Sequence, residues 1–168
     1  MKYAHVLAYV SETIWAIERS KLQAICSVLA SRVADEEIDS DEIAAVVSAA
    51  RRPEPPRTGA AVVVIPVWGV IGHHAAAMPK ASGGTSTEAL TQMFRQAIAD
   101  PNVSAIVMDF DTPGGTVPGV PELADEMYRA RGRKPVVAVA NSLCASAGYW
   151  LAAQADEFVA LPSAQVGS

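Results

Sequence analysis

From residue 60 onward the sequence alternates short apolar runs with stretches that have the spacing of amphipathic helices. The apolar runs are predicted as strands over Ala60–Val67, Ala105–Phe110, Val136–Val139 and Glu157–Leu161. Strands separated by helices form βαβ units, in which neighbouring strands run parallel. The sequence therefore predicts an α/β fold with a mainly parallel sheet. Pro66 places the first strand at a sheet edge or in a bulge, because proline cannot donate to a central ladder.

The helices between these strands have recognisable starts. Thr85 and Glu88 form a capping box, which predicts that a helix begins there and ends near Asp100. A second helix is predicted from about Val120, with proline in its first turn, to Ala130.

The segment before residue 60 has a different character. Residues 3–33 carry apolar side chains at helical spacing, and a second helix is predicted over residues 39–50. The chain therefore divides into a helical arm over 1–50, a proline-rich linker over 51–59 and a sheet-bearing domain over 60–168. Such an arm serves assembly more often than chemistry.

Composition narrows the class of protein. Half of the residues, 51%, are hydrophobic and only 18% are charged, so a sizeable core is predicted and overall disorder is not. A net charge of −5 argues against a nucleic-acid partner. Cys26 and Cys144 lie far apart in apolar contexts, which predicts reduced thiols in a cytosolic compartment. We expect no metal or other cofactor. We also expect no signal peptide and no membrane span, because charged residues interrupt the apolar runs of the first thirty residues.

The strand Val136–Val139 leads into the segment Cys144–Gly148 and then an apolar helix over Tyr149–Ala155. Ser146 has small neighbours at this strand-to-helix turn, where a nucleophilic hydroxyl could be exposed. The alternative is that Ser146 only caps the helix, since serine is a favoured N-cap residue.

A second turn, Asp111–Gly115, follows the preceding strand. Turns at the carboxyl ends of neighbouring parallel strands share one edge of the sheet, so this turn is expected to face Ser146. Pro113 presets φ, and Gly114 and Gly115 can adopt positive φ. Such a turn can direct its N–H groups at one point, as an oxyanion hole requires.

Four segments carry a family resemblance: Asp111–Gly115 matches an S-P-G-G turn, Lys134–Val137 a K-P-V strand, Ala145–Tyr149 an A-S-G-G-Y nucleophile segment and Gly167–Ser168 a G-S-I-G-V stretch. Over residues 61–168 the chain resembles the S49 serine peptidases, the signal peptide peptidase A group, which have the ClpP/crotonase fold with repeated ββα and βαβ units. Within that family it looks most like the phage head-maturation, or capsid assembly, proteases. Ala147 departs from the pattern by replacing a glycine.

The resemblance implies roles for particular residues. Ser146 becomes the nucleophile of a Ser-Lys dyad, and the amides of Gly114, Gly115 and Ala147 become the oxyanion donors. The family's lysine lies well beyond the G-S-I-G-V stretch, so residues 60–168 are expected to be the N-terminal part of the domain and inactive alone. Other groups, His73, His74 and Lys80 as bases and Cys144 as nucleophile, are less favoured.

The resemblance also implies substrates and surroundings. We expect scaffold or capsid proteins to be cleaved in the host cytoplasm, including within the procapsid, by a homo-oligomer. The substrate is expected to lie extended along the strand edge near Val67–Gly72. Two alternatives remain open: a non-catalytic capsid assembly protein that retains the fold, and a crotonase-like acyl-CoA enzyme.

Overall fold

The computed structural model describes residues 8, 10–33, 61–74 and 84–168. The predicted second helix of the arm, the linker over 51–59 and Lys80 lie outside the described residues.

The helices and strands follow one another along the chain as predicted from residue 61 onward, with additional short strands. The helices are α1 (Arg19–Val33), α2 (Thr87–Ala99), α3 (Val120–Arg129) and α4 (Ala147–Ala152). The strands are β1 (Trp15–Ile17), β2 (Ala61–Trp68), β3 (Ile71–Gly72), β4 (Thr85–Ser86), β5 (Val103–Thr112), β6 (Gly114–Thr116), β7 (Val136–Ala145), β8 (Glu157–Ala160) and β9 (Gln165–Gly167).

The main sheet has five strands in the order β2-β5-β7-β8, and β9 pairs with the second half of β7. Every pairing in it is parallel, which confirms the predicted α/β class and mainly parallel sheet. β2 lies at an edge, as Pro66 predicts. The carboxyl ends of β5 and β7 are neighbours, so the turns that leave them meet at one edge of the sheet.

The core lies between this sheet and helices α2 and α3. Ile106, Met108 and Phe110 alternate along β5 and are fully buried, and Leu90 and Phe94 of α2 are buried as well. Burying one such side chain stabilises the fold by roughly 1.5–3 kcal/mol. The core thus holds β5 and β7 in place beneath the turns at their ends.

Helix α2 begins one residue later than the predicted capping box requires. Ser86, not Thr85, is the N-cap, and its hydroxyl accepts a hydrogen bond of 3.0 Å from the Ala89 N–H. The Thr85 hydroxyl instead donates to the Trp68 carbonyl oxygen at 2.7 Å and accepts from the Trp68 N–H at 3.0 Å. The Thr85 hydroxyl is therefore bound by the backbone of Trp68 at the end of β2 and does not cap α2.

Two basic side chains bind the carboxyl ends of helices. Lys134 Nζ donates to the carbonyl oxygens of Ala97, at 2.8 Å, and Asp100 at the end of α2. The Arg131 guanidinium donates to three carbonyl oxygens at the end of α4, those of Ala153, Gln154 and Ala155. Both contacts satisfy carbonyl groups that a helix leaves unpaired.

The prediction of a continuous helix over residues 3–33 is wrong. Residues 8 and 10–12 are helical as predicted, but Trp15–Ile17 form strand β1 and interrupt the helix, and α1 begins at Arg19. β1 pairs antiparallel with β6 in a second sheet whose order is β1-β6-β3-β4. The local sequence has aromatic and β-branched residues that favour a strand, and β6 offers an edge to pair with. Ile14, assigned to the apolar stripe of the predicted helix, is 72% exposed.

Candidate active site

Strand β7 extends beyond the predicted end at Val139 and finishes at Ala145, directly before Ser146. The side chains of Asn141 and Ser142 donate hydrogen bonds to the carboxylates of Asp109 and Asp111 on the neighbouring strand β5. These cross-strand pairs let polar residues remain in the strand. Ser146 therefore lies directly after a paired strand, whose register with β5 shifts between Phe110 and Thr112.

Ser146 has φ 54° and ψ −114°, and no other non-glycine residue in the described ranges has positive φ. A backbone of this kind costs on the order of 1–3 kcal/mol and persists only where the surroundings enforce it. The hydroxyl makes no capping hydrogen bond to α4, so the interpretation of Ser146 as a simple helix cap is wrong. A strained strand-to-helix turn that carries a serine is the geometry that exposes the nucleophile in α/β-hydrolases.

The serine turn, residues 145–148, is held by contacts with its surroundings. The Ser146 N–H donates to the Gly167 carbonyl oxygen at 2.6 Å, and the Trp150 N–H donates to the Ser146 carbonyl oxygen at 2.9 Å. A Cβ on Gly148 would lie 2.4 Å from Thr112 Cγ2, so only glycine allows this close approach. These contacts fix the backbone, and the Ser146 hydroxyl has no hydrogen-bond partner within residues 8, 10–33, 61–74 and 84–168.

The glycine turn, residues 112–116, lies against the serine turn. Gly114 has φ 94°, which favours glycine. A Cβ built on Gly114 would be 3.0 Å from both the Ala145 carbonyl oxygen and the Ala147 nitrogen. The structure thus brings the two turns into contact, as expected from their places at the ends of β5 and β7.

The predicted oxyanion donors differ in what they bind. The Gly114 N–H donates to Thr112 Oγ1 at 3.1 Å, and this hydroxyl donates to the Gly69 carbonyl oxygen at 2.6 Å. The Ala147 N–H is buried and has no hydrogen-bond partner among the residues that the structure describes. The Gly114 N–H thus supports the turn itself, whereas Gly115 pairs with Ala16 of β1.

Gly115 is required for a reason that the sequence does not reveal. Its φ is not positive, so conformational freedom is not what the position demands. A Cβ there would lie 1.8 Å from the Ile71 carbonyl oxygen, because β3 runs directly alongside. Close backbone approach thus dictates glycine at this position.

The less favoured groups have other partners. His73 Nδ1 lies 3.1 Å from the Thr87 hydroxyl, and His74 Nδ1 lies 3.4 Å from Glu88. Cys144 is fully buried, and desolvation raises its pKa to about 12, so its thiol stays protonated near neutral pH. A hydrogen bond from any of these groups to Ser146 is absent in the described part of the chain.

Thr112 and β1 are parts of the site that sequence reasoning missed. Thr112 stands where the family turn has serine, and its hydroxyl joins the glycine turn to Gly69 at the end of β2, so the motif itself held the signal. For β1 the only signal was the short run of aromatic and β-branched residues within an otherwise helical pattern.

Two further features were sought in the described ranges. No group of three His, Cys, Asp or Glu side chains there could hold a metal ion. No described helix has the length and apolar character needed to cross a membrane.

The sequence was compared with protein families and curated proteins. Residues 129–168 match the model of peptidase family S49. The chain is 38% identical over 107 residues to capsid assembly protease C of Escherichia phage lambda, covering 64% of this chain and 24% of that protein. It is 34% identical over 107 residues to head-tail preconnector protein GP5 of Enterobacteria phage P21, covering 64% and 21%. It is 36% identical over 115 residues to Protease 4 of Salmonella typhi, covering 68% and 18%.

These matches confirm the S49 resemblance, and the matched family segment contains both Ser146 and Gly167. The chain spans less than a quarter of the length of each of these relatives. A solved enoyl-CoA hydratase/isomerase family member overlaps 44% of this chain and 36% of its own, with 22% identity and a TM-score of 0.32. The parallel sheet itself, not this partial overlap, confirms the α/β class.

Proposed function

We propose, from this similarity to the S49 peptidases, that the chain carries the nucleophile and oxyanion hole of a serine endopeptidase. One observation carries the proposal: the unbound Ser146 hydroxyl at a strained turn, beside the free N–H of Ala147. A hydroxyl and an unpaired donor on successive residues are what acyl transfer needs.

In this mechanism Ser146 Oγ attacks the carbonyl carbon of a peptide bond and loses its proton to a base. The N–H groups of Ala147 and Gly115 hold the oxygen that becomes negatively charged, and each such donor is worth roughly 3 kcal/mol in the transition state. The carbon–nitrogen bond then breaks, the amine leaves with the proton, and water hydrolyses the acyl-enzyme by the reverse route.

The base in this proposal is a lysine beyond residue 168, as in the S49 peptidases that the chain resembles. Its support within the chain is indirect: the two loop histidines are bound to Thr87 and Glu88 instead of Ser146. A lysine acts as a base near neutral pH when burial lowers its pKa and leaves it neutral.

The proposed substrates are scaffold and capsid proteins, cleaved during procapsid assembly in the host cytoplasm. The support is the naming of one relative as a capsid assembly protease and another as a head-tail preconnector protein. We also propose a homo-oligomer, because the edge strand β2 carries exposed apolar side chains; Val62 is 55% and Val64 43% exposed.

The test is covalent labelling with a serine-reactive peptidyl phosphonate, followed by mass spectrometry of the labelled peptide. A chain extended past residue 168 to its lysine should be labelled at Ser146, whereas its Ser146→Ala variant should not. The 168-residue chain should be labelled far more slowly, since losing one member of a cooperating set costs nearly the whole effect.

Two outcomes would contradict parts of the proposal. A folded, extended chain that is never labelled would favour the non-catalytic assembly protein. Rapid labelling of the 168-residue chain would place the base within residues 1–168.

A further inference from the structure

Strand β1 lies along the edge of β6, the strand that forms the glycine turn. The pairs are Trp15 with Thr116, Ala16 with Gly115 and Ile17 with Gly114. Hydrogen bonds flank these pairs: the Glu18 N–H donates to the Pro113 carbonyl oxygen at 2.8 Å, and the Val117 N–H donates to the Ile14 carbonyl oxygen at 2.9 Å.

Hydrogen-bonded and non-hydrogen-bonded pairs alternate along an antiparallel ladder. The flanking bonds therefore place Ala16 and Gly115 in a hydrogen-bonded pair, in which the Gly115 N–H points at the Ala16 carbonyl oxygen. That N–H is one of the two proposed oxyanion donors.

The Ala16 carbonyl also lies close to the second proposed donor. A Cβ built on Gly114 would be 2.3 Å from the Ala16 oxygen and 3.0 Å from the Ala147 nitrogen, so both atoms approach the same point. The Ala16 carbonyl oxygen thus lies near both proposed donors, on the side of β6 from which the carbonyl of a substrate strand would approach them.

The other edge of β6 is already paired in the described residues. β3 lies along it and pairs with β4 on its far side, so the expected substrate position along Val67–Gly72 has no free edge at Ile71. An extended peptide can reach β6 only along the edge that β1 now covers.

We propose that β1 is an intramolecular pseudosubstrate, which covers the peptide-binding edge of β6 and must leave before a substrate strand can bind. The inference rests on the proposed function for its consequence, but its geometry stands independently. The whole of β1 is only half-buried and Ile14 beside it is exposed, as expected of a strand that can detach and not of a core strand. Because β1 is covalently attached, its high effective concentration lets even a weak strand compete with substrate.

The first experiment measures occupancy without catalysis, in the Ser146→Ala background of the 168-residue chain. The probe is an acetylated fluorescent peptide copying residues 12–19, and its binding is followed by anisotropy. Ala16→Pro removes the N–H that β1 donates to β6 and disfavours the extended backbone. The control Ala16→Ser keeps that N–H.

We expect the Ala16→Pro chain to bind the peptide about tenfold more tightly than the Ala16→Ser chain, because the edge of β6 is free. A peptide carrying proline at the position of Ala16 should bind neither chain. Equal affinity of the two chains for the unmodified peptide would overturn the proposal.

A second measurement does not depend on how the proline variant folds. Hydrogen exchange of the unaltered extended chain is recorded before and after the peptidyl phosphonate has bound to Ser146. Amides of residues 14–18 should exchange faster once the probe's peptide takes the place of β1, and unchanged exchange in the labelled protein would count against displacement.

Labelling rates separate this inference from the proposed function. In the extended chain, Ala16→Pro should speed phosphonate labelling about tenfold over Ala16→Ser. Equal rates in both variants would leave the peptidase intact and overturn the inhibition. No labelling in either, with a peptide-binding difference preserved, would overturn the peptidase and retain the occupied edge. Cleavage between Ala16 and Ile17, seen as a new N-terminus, would show that β1 is a substrate and overturn its inhibitory role.

Discussion

The serine turn and the glycine turn lie side by side, yet they hold unusual backbones by opposite means. In the serine turn a residue with a Cβ has φ 54°, and hydrogen bonds to Gly167 and Trp150 keep it there. In the glycine turn Gly114 adopts φ 94° without the steric penalty of a Cβ. Gly115, which also lacks a Cβ, allows the backbone of β3 to pack directly against it.

The difference follows from what each turn presents. The proposed nucleophile needs a side chain, so under that proposal glycine is not available at position 146 and the strain must be held by neighbouring groups. The glycine turn presents backbone N–H groups, for which any Cβ is an obstacle. Backbone strain at the serine turn and close backbone approach at the glycine turn thus contribute to the same candidate site.

The largest expected effect comes from removing the hydroxyl. In the extended chain, Ser146→Ala and Ser146→Gly should both lower peptide hydrolysis by on the order of 10⁴–10⁶-fold. Ser146→Gly should unfold with a free energy about 1 kcal/mol higher than Ser146→Ala, because glycine relieves the positive φ. Urea denaturation of the two variants measures the difference, and equal stability would mean that Ser146 is not strained.

A Cβ at Gly115 should cost more stability than any other change in the glycine turn. Gly115→Ala puts the Cβ 1.8 Å from the Ile71 carbonyl oxygen, so β3 and β6 must separate, at about 3 kcal/mol or more. The control is Gly132→Ala, which has φ 79° but nothing within 4 Å of its Cβ and should cost only about 1–2 kcal/mol. Chemical denaturation compares them; similar losses would mean that close approach is not what position 115 requires.

The hydroxyl that joins the glycine turn to the sheet gives a smaller effect. Thr112→Val keeps the methyl group against Gly148 but leaves the Gly114 N–H and the Gly69 carbonyl oxygen without their partner, at about 1–3 kcal/mol.

Thr116→Val is the matched control for that change. The Thr116 hydroxyl is buried and has no hydrogen-bond partner among the described residues, so its loss should be neutral or slightly stabilising. Thermal unfolding of both variants tests the pair, and a larger loss at Thr116 than at Thr112 would contradict the assignment.

The smallest effect concerns Cys144, two residues before Ser146. Burial raises the pKa of this thiol to about 12. In the unfolded chain the thiol has its ordinary pKa of about 8.5, so between these two pH values it is protonated in the folded protein and deprotonated in the unfolded one. Stability should therefore fall as pH rises from about 8.5 toward 12, and less so in Cys144→Ala. In the folded chain at pH 8 a thiol reagent should modify exposed Cys26 and spare Cys144, and rapid modification of both would contradict this.

Much of the architecture could be predicted because the signals are local. Apolar periodicity marked the buried face of α2, with Leu90 and Phe94, and alternation of strands and helices required the parallel sheet. The carboxyl ends of successive parallel strands share an edge, so the meeting of the serine and glycine turns also followed from the sequence.

Only the tertiary structure decided the details that depend on distant partners. The N-cap of α2 is Ser86 because Trp68 takes the hydroxyl of Thr85, and glycine is needed at 115 because of Ile71. β1 is a strand because β6, about a hundred residues later in the chain, offers it an edge. The sequence determined which residues could carry chemistry, since side-chain type and the small neighbours of Ser146 are local features. Which amides are free, and which strand covers them, depended on long-range pairing that no local pattern encodes.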